Sequence, residues 1–432
     1  MTLLESRKRK NLILFFFALS LSPFIYLFFD ESSLSNFWLR VANLFGFIGA
    51  VLIIWQFILG VRGFSKWLTH DYDWVIKIHT FLGINSVLFI VLHPMMEFMV
   101  YQRELNYLFE LNFSNTYEAY LSYGKIGFYL FLLVWLSSSI LRKAIKYRVW
   151  LYIHYFSYLM LFFILLHPLK IGSILQSNIL VYSYWILICI LAFLIILLKI
   201  LDVFNITNKR FTLIEIKNYP GDTFTLKYKP LDGKFTNIKP GQYFYIKTPF
   251  ISEAHPFSIL EFNEDTGELT FGVKKLGKYS AGLSNSQVSD IHYLDGPFGE
   301  FTFEGHNSDP KVILAGGIGI TPFYELVSRF GDSNTYLFYA NKNIDSALYR
   351  SKFKELLGKN YFDFVIEKEG PKENVFCEII SSRKIKELLN NYNLNEFKFF
   401  ICGSPGFTKA MIECLKEVGV TRKNIYIEEF EY

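Results

Sequence analysis

Six stretches of the chain are almost continuously apolar, with polar residues gathered in short bursts between them. They run over about 11–29, 41–61, 74–100, 122–141, 149–169 and 178–201. Crossing a bilayer as a helix takes roughly 20 apolar residues, so each stretch is long enough. Past residue 205 the pattern breaks. Short runs at 211–216, 223–229, 242–248, 257–262 and 269–274 are separated by turn signals such as Pro220-Gly221 and Pro240-Gly241, which predicts a small antiparallel β-barrel. After Asn307, strand-like and helix-like runs alternate at 311–315, 322–330, 335–340, 346–357, 362–366, 381–390, 398–402, 405–418 and 425–427. Such alternation predicts a doubly wound α/β domain. The expected fold class is a multidomain membrane protein: a six-helix transmembrane bundle over 1–205, a barrel over 206–306 and an α/β domain over 307–432.

Composition supports the membrane half. Hydrophobic residues make up 52% of the 432, and 46 of them are Phe, more apolar surface than a soluble fold of this size needs. The basic residues set orientation. Arg7–Lys10, Arg62 with Lys66, Arg142-Lys143 with Lys146 and Arg148, and Lys209-Arg210 fall on one side, while Asp30, Glu31, Glu104, Glu110 and Glu118 mark the other. By the positive-inside rule both termini are cytoplasmic, which an even number of spans also requires. The first apolar run follows Arg7-Lys8-Arg9-Lys10 as a signal peptide would, but its core is long and no small-residue cleavage site precedes Asp30, so it is expected to be retained. The net charge of +5 forms no basic stripe interleaved with aromatics, so a nucleic-acid partner is not expected. Cys189, Cys377, Cys402 and Cys414 have neither metal-knuckle nor disulfide-framework spacing.

Four histidines lie inside the apolar stretches. His79 and His93 are on the third, 14 residues apart; His154 and His167 are on the fifth, 13 apart. One such histidine is often only a helix–helix hydrogen bond. Two helices carrying two each, at nearly equal spacing, point to a shared task, because ionisable groups at membrane depth are costly and tend to be functional. Neutral imidazole is a common iron ligand. At 1.5 Å per residue the spacing covers roughly 20 Å, room for two haem irons stacked one above the other. Both helices run outward, so the pairs are His79 with His154, nearer the cytoplasm, and His93 with His167. Fourteen residues return to within about 40° of the same helix face, but thirteen miss it by about 140°. The fifth helix must therefore tilt, tighten or kink. Pro168 follows His167, as Pro94 follows His93, and each proline frees the carbonyl four residues earlier. Two histidines per iron leave no open coordination position, so such a haem passes electrons on.

Where the barrel gives way to the α/β domain, Ala315-Gly316-Gly317-Ile318-Gly319-Ile320-Thr321-Pro322 runs from an apolar strand into glycines. Thr321 is the expected N-cap and Pro322 the first helical residue. Glycines let a phosphate approach the backbone, and a helix N-terminus favours its charge; a tight turn is the bland alternative. The loop is neither a nucleoside-triphosphate loop nor the usual GxGxxG fingerprint.

Other motifs narrow the choice. His255-Pro256-Phe257-Ser258, Gly277-Lys278-Tyr279-Ser280-Ala281-Gly282-Leu283, Gly296-Pro297-Phe298-Gly299, Gly317–Pro322, Cys402-Gly403-Ser404-Pro405 and Glu428-Glu429-Phe430 follow one another in the order of the ferredoxin–NADP reductase superfamily. With the two histidine pairs, the whole chain resembles the NADPH oxidase and ferric reductase family. The resemblance implies a haem domain (1–205), an FAD domain (206–306) and an NAD(P) domain (307–432). It implies FAD, two b-type haems and NADPH or NADH as cofactors. Ser258 would bond the flavin near N5, Phe257 would pack on its ring beside Pro256, and His255 would hold the flavin or its diphosphate. Lys278, Tyr279, Ser280 and Ala281 would lie along the diphosphate. Gly316, Gly317, Gly319, Thr321 and Pro322 would form the pyridine-nucleotide loop, with Cys402 and Gly403 on the nicotinamide side and Phe430 stacked on the flavin. Lys342 stands where relatives preferring NADPH often carry Arg, which suggests use of both donors with a modest NADPH preference. Phe257 replaces the Tyr of soluble reductases.

The implied activity is electron transfer from cytoplasmic NAD(P)H through FAD and both haems to an acceptor beyond a plasma membrane, with a bacterial origin expected. Oxygen, giving superoxide, is the leading acceptor; a ferric or other metal chelate shares every motif. Glu97 stands one turn beyond His93 where mammalian oxidases carry another His, and Arg40 and Lys170 lie near the outer face. A haem-bearing conductance or sensor protein is the alternative of a different class, against which the intact phosphate loop and Cys402 speak. The expected partners are membrane lipid and the acceptor. With no EF-hand pattern, SH3-like extension or long proline-rich tail in view, no obligatory activator is expected.

Overall fold

A computed structural model describes residues 3–29, 36–63, 68–69, 71–104, 106–249, 253–303, 309–367, 372–389 and 392–429. It divides into two compact units, one of residues 4–203 and one beginning at Phe204.

Among the described residues, the first unit holds six helices long and apolar enough to cross a membrane: Ser6–Phe29, Phe37–Gly60, Tyr72–Val100, Thr116–Ile140, Tyr147–Ile171 and Ile179–Val203. This is a multi-pass membrane protein. Three spans begin several residues before their apolar stretch because a polar cap starts them. Asn36 accepts from the amides of Trp38 and Leu39, Asp71 from Trp74, and Asn115 from Glu118; each answers amides that have no partner within the helix. The second span is central. From Val51 to Leu59 every residue except Gln56 is buried. Outer spans turn Phe81, Leu88, Phe162 and Phe193 outward, as lipid-facing helices do.

Two irregularities interrupt the spans. The fourth changes to π-helix over Leu136–Ile140. The fifth is regular over Tyr147–Leu166 and resumes as Pro168–Ile171, so its break falls at His167. Pro94, by contrast, lies inside the continuous helix Tyr72–Val100.

In the second unit, a closed antiparallel barrel has the order β1-β2-β5-β4-β3-β6. Its strands are β1 (Lys209–Tyr219), β2 (Thr223–Pro230), β3 (Tyr243–Lys247), β4 (His255–Phe262), β5 (Leu269–Lys274) and β6 (Ile291–Phe298). Phe211, Phe224, Phe244 and Phe271 fill its core. The sequence pattern shows five of these strands. β6 escapes it because Asp295-Gly296-Pro297 reads as a turn, yet the strand carries Pro297 and closes the barrel between β1 and β3. Beyond it, a six-stranded sheet has the order β10-β9-β8-β7-β11-β12. These strands are β7 (Lys311–Gly316), β8 (Thr335–Asn341), β9 (Tyr361–Val365), β10 (Val375–Phe376), β11 (Lys398–Gly403) and β12 (Ile425–Glu429). All neighbours are parallel. β7 pairs with β8 on one side and β11 on the other, so the chain reverses its winding there, which is where ligands bind in open α/β sheets.

Polar contacts join the barrel to helices of the α/β domain, Phe323–Phe330 and Arg350–Leu357. The Phe262 amide donates to Glu325 at 3.0 Å, Arg329 bridges Glu264 (2.8 Å) and Glu325 (2.9 Å), and Glu261 takes hydrogen bonds from Tyr349 and Lys352.

Candidate functional site

The bundle brings the four histidines together as two pairs. The ring centres of His79 and His154 are 6.3 Å apart, and those of His93 and His167 are 6.4 Å apart. With metal–nitrogen bonds of about 2.0 Å and roughly 1.1 Å from ring nitrogen to ring centre, two imidazoles on opposite sides of one metal stand about 6 Å apart. Each gap therefore fits an iron.

The backbone aims three of the rings. Nδ1 of His79 lies 3.0 Å from the Gln56 carbonyl, Nδ1 of His93 lies 2.9 Å from the Ala42 carbonyl, and Nδ1 of His167 lies 2.8 Å from the Ile164 carbonyl. A carbonyl only accepts, so each Nδ1 carries the proton and each Nε2 keeps its lone pair for a metal. Ile164 is four residues before Pro168, so the amide that would have bonded its carbonyl does not exist. The His167 imidazole takes that place.

Sequence analysis missed what lets the rings in. A Cβ on Gly46 would stand 2.9 Å from Nδ1 of His93, one on Gly60 would stand 3.3 Å from the His79 ring, and one on Gly124 would stand 3.2 Å from the His167 ring. The second span thus presents one unit twice, Ala42 with Gly46 and Gln56 with Gly60, each a carbonyl followed four residues later by a glycine. On the fourth span Gly124 faces His167, and Ser138, 14 residues on, faces His154. Spacings of 14 on both neighbouring spans, matching His79 to His93, were the available signal.

In the reductase unit, His255-Pro256-Phe257-Ser258 opens β4, and Lys278–Leu283 is a short helix. The two motifs meet: the His255 ring stacks on Tyr279 with centres 3.9 Å apart, and Phe257 lies 6.4 Å from the same ring. Burial pushes the Tyr279 phenol up, so it stays neutral and donates to the Ile246 carbonyl at 2.6 Å. Ser280 closes its own loop by accepting from the amides of Leu276 and Gly277. Ser258 is buried in the barrel wall opposite Tyr243. Phe298 is fully buried against Tyr243 and Tyr245, as core.

A cavity of about 740 Å³ opens over the carboxyl ends of the sheet, lined by Gly316 and Gly317 after β7, Asn341 and Lys342 after β8, Ser404 after β11, and Thr223 from the barrel. The glycine loop is shaped differently from the expectation. Gly317–Ile320 is a 3₁₀ turn, and Thr321 is already helical, its hydroxyl bonding back to the Ile318 carbonyl at 3.1 Å. Thr321 is therefore no N-cap; the helix Phe323–Phe330 follows the turn after Pro322 without a side-chain cap. Gly319 is required by packing, since a Cβ there would stand 2.3 Å from the Cys402 carbonyl oxygen. Cys402 itself is wholly buried beneath this loop, and burial pushes its thiol well up, keeping it protonated. Lys342 pairs with Glu367 at 3.2 Å, and Asn343 donates to the same carboxylate at 2.9 Å. Phe430 lies outside the described residues.

Comparison with known proteins assigns each part. Residues 45–166 match the ferric reductase like transmembrane component family, 208–321 an FAD-binding domain, and 313–413 an oxidoreductase NAD-binding domain. The reductase component of propane 2-monooxygenase from Rhodococcus jostii is 24% identical over 52% of this chain and 64% of its own length. Ferric reduction oxidase 5 of Arabidopsis thaliana is 26% identical over 58% of this chain and 34% of its own. NADPH oxidase 4 of Rattus norvegicus is 32% identical over 29% of this chain and 25% of its own. The chain thus spans less than two-thirds of the length of each of these relatives.

Proposed function

We propose, from the premise that this chain belongs to the NADPH oxidase and ferric reductase family, that it carries electrons from NAD(P)H through FAD and two bis-histidine b-type haems across a plasma membrane. The observation that carries the proposal is the pair of 6.3 and 6.4 Å imidazole gaps, three of whose four rings are aimed by backbone carbonyls. Bound FAD would supply the conversion from a two-electron hydride donor to one-electron transfers.

The chain's own residues hold, aim and exclude. His79 and His154 would hold one iron, and His93 and His167 the other, with Gly46, Gly60 and Gly124 keeping the approach clear. His255, Phe257 and Tyr279 form an aromatic wall suited to a flavin nucleotide, with Pro256 and Ser258 on the same strand. The Gly316–Pro322 turn leaves backbone open to a dinucleotide phosphate, and Lys342 stands where a ribose phosphate would reach. The Cys402 thiol, neutral and buried, shapes the floor under that turn without ionising. Phe430 is proposed to stack on the flavin until nicotinamide replaces it.

Oxygen, giving superoxide, is the proposed acceptor. A second acceptor, a ferric chelate, is favoured by Glu97 one turn beyond His93 and by the longer alignment with ferric reduction oxidase 5. Anaerobic NADPH added to purified protein should reduce both haems, and oxygen should reoxidise them faster than ferric chelate does. Haems that stay oxidised would remove the relay; reoxidation by ferric chelate alone would reassign the acceptor. The purified chain should need neither calcium nor a partner protein for this.

A further inference from the structure

The four imidazoles are not aimed alike. His79, His93 and His167 face peptide carbonyls at 2.8 to 3.0 Å. His154 faces the hydroxyl of Ser138 at 3.3 Å, and that same oxygen takes the indole N–H of Trp150 at 3.1 Å. Trp150 also lies beside the His154 ring, centres 5.1 Å apart, and the Arg142 guanidinium sits 4.5 Å from the indole centre. Ser138 belongs to the π-helical turn Leu136–Ile140, the other irregularity in the bundle.

The chemistry follows from which atoms give and which accept. With a metal on Nε2, Nδ1 of His154 carries a hydrogen and donates to Ser138 Oγ. A hydroxyl oxygen is a weaker acceptor than a peptide carbonyl, and this one already serves the indole. A strong Nδ1–H bond makes an imidazole a better electron donor to its metal and favours the oxidised iron; a weak one favours the reduced iron. We infer that Ser138 and Trp150 act as positioning residues that leave the iron held by His79 and His154 at a higher reduction potential than a peptide-carbonyl acceptor would give it, Ser138 by being a weak acceptor and Trp150 by weakening it further, easing the electron's first entry into the bundle. The inference rests on the haem assignment above.

Spectroelectrochemical titration of detergent-purified holoprotein separates the two ideas. Fewer than two low-spin haems in the unaltered protein would sink the haem assignment itself, whatever the variants did. Given two haems, Ser138→Ala removes the acceptor and should shift one midpoint potential upward, leaving the other in place. Trp150→Phe removes the competing donor, strengthens the His154 bond and should shift the same potential downward. Ser138→Thr keeps the hydroxyl and should reproduce the original potentials. Shifts of the same sign in Ser138→Ala and Trp150→Phe, equal shifts in both haems, or no shift in either variant would overturn the inference. If Ser138→Ala fails to retain haem, the downward shift in Trp150→Phe and the unchanged Ser138→Thr still decide it.

Discussion

The membrane half and the reductase half build their sites from opposite materials. In the bundle the proposed ligands are side chains, four imidazoles, three of them aimed by backbone carbonyls. Over the sheet the cavity is lined by many residues at once, strand-end positions such as Gly316, Gly317, Asn341 and Ser404 together with side chains such as Phe407 and Met411. The difference teaches where a substitution should be catastrophic and where it should be graded. A ligand cannot be shared out among neighbours, whereas a lining of many residues can.

The strongest test of that contrast is His93→Leu. It should cost one haem and abolish electron exit, read as haem per protein by pyridine haemochrome; two haems with unchanged spectra would break the contrast at once. Gly46→Leu should approach the same loss without touching a ligand, because its first carbon alone would stand 2.9 Å from the His93 ring. Normal haem content in that variant would mean that the second span moves aside freely. On the reductase side, Gly319→Ala presses a methyl against the Cys402 carbonyl. Overpacking of this kind costs about 1–3 kcal/mol, so the KM for NADPH should rise roughly tenfold, with haem spectra intact. The smallest effect should come from the rim. Glu367 holds Lys342 where a ribose phosphate would compete for it, so Glu367→Gln should move the donor preference several-fold toward NADPH. Unchanged relative kcat/KM for the two donors would leave Lys342 a solvated surface charge, the expected behaviour of an exposed ion pair.

Legibility in the sequence divided along the same line. Spans, histidine pairs and strand–helix alternation were visible because they are periodic, and a period survives without knowledge of neighbours. What stayed hidden depends on contacts between elements. Gly46 and Gly124 look like any glycine in an apolar helix until the imidazole opposite is in place. Ser138 stands 14 residues beyond Gly124, but that spacing marks nothing until the imidazoles opposite are in place. β6 was lost because Gly296-Pro297 says turn locally, while barrel closure by β1 and β3 overrides it. Thr321 misled for a similar reason: its position before proline fits a cap, but the 3₁₀ turn over Gly317–Ile320 has already started the helical backbone. His255 was named for a flavin, yet its stacking on Tyr279 could not be read from two motifs so far apart in the chain.

Pro168 bears on how mutational surveys of such bundles should be interpreted. Its ring carries no atom able to bind iron, yet it withholds the amide that would otherwise claim the Ile164 carbonyl, and His167 is aimed by that same oxygen. Any other residue at 168 would return the amide and set it against the imidazole. A scan that scored haem content position by position would then place Pro168 among the ligands, although its influence passes entirely through a hydrogen bond it cannot make.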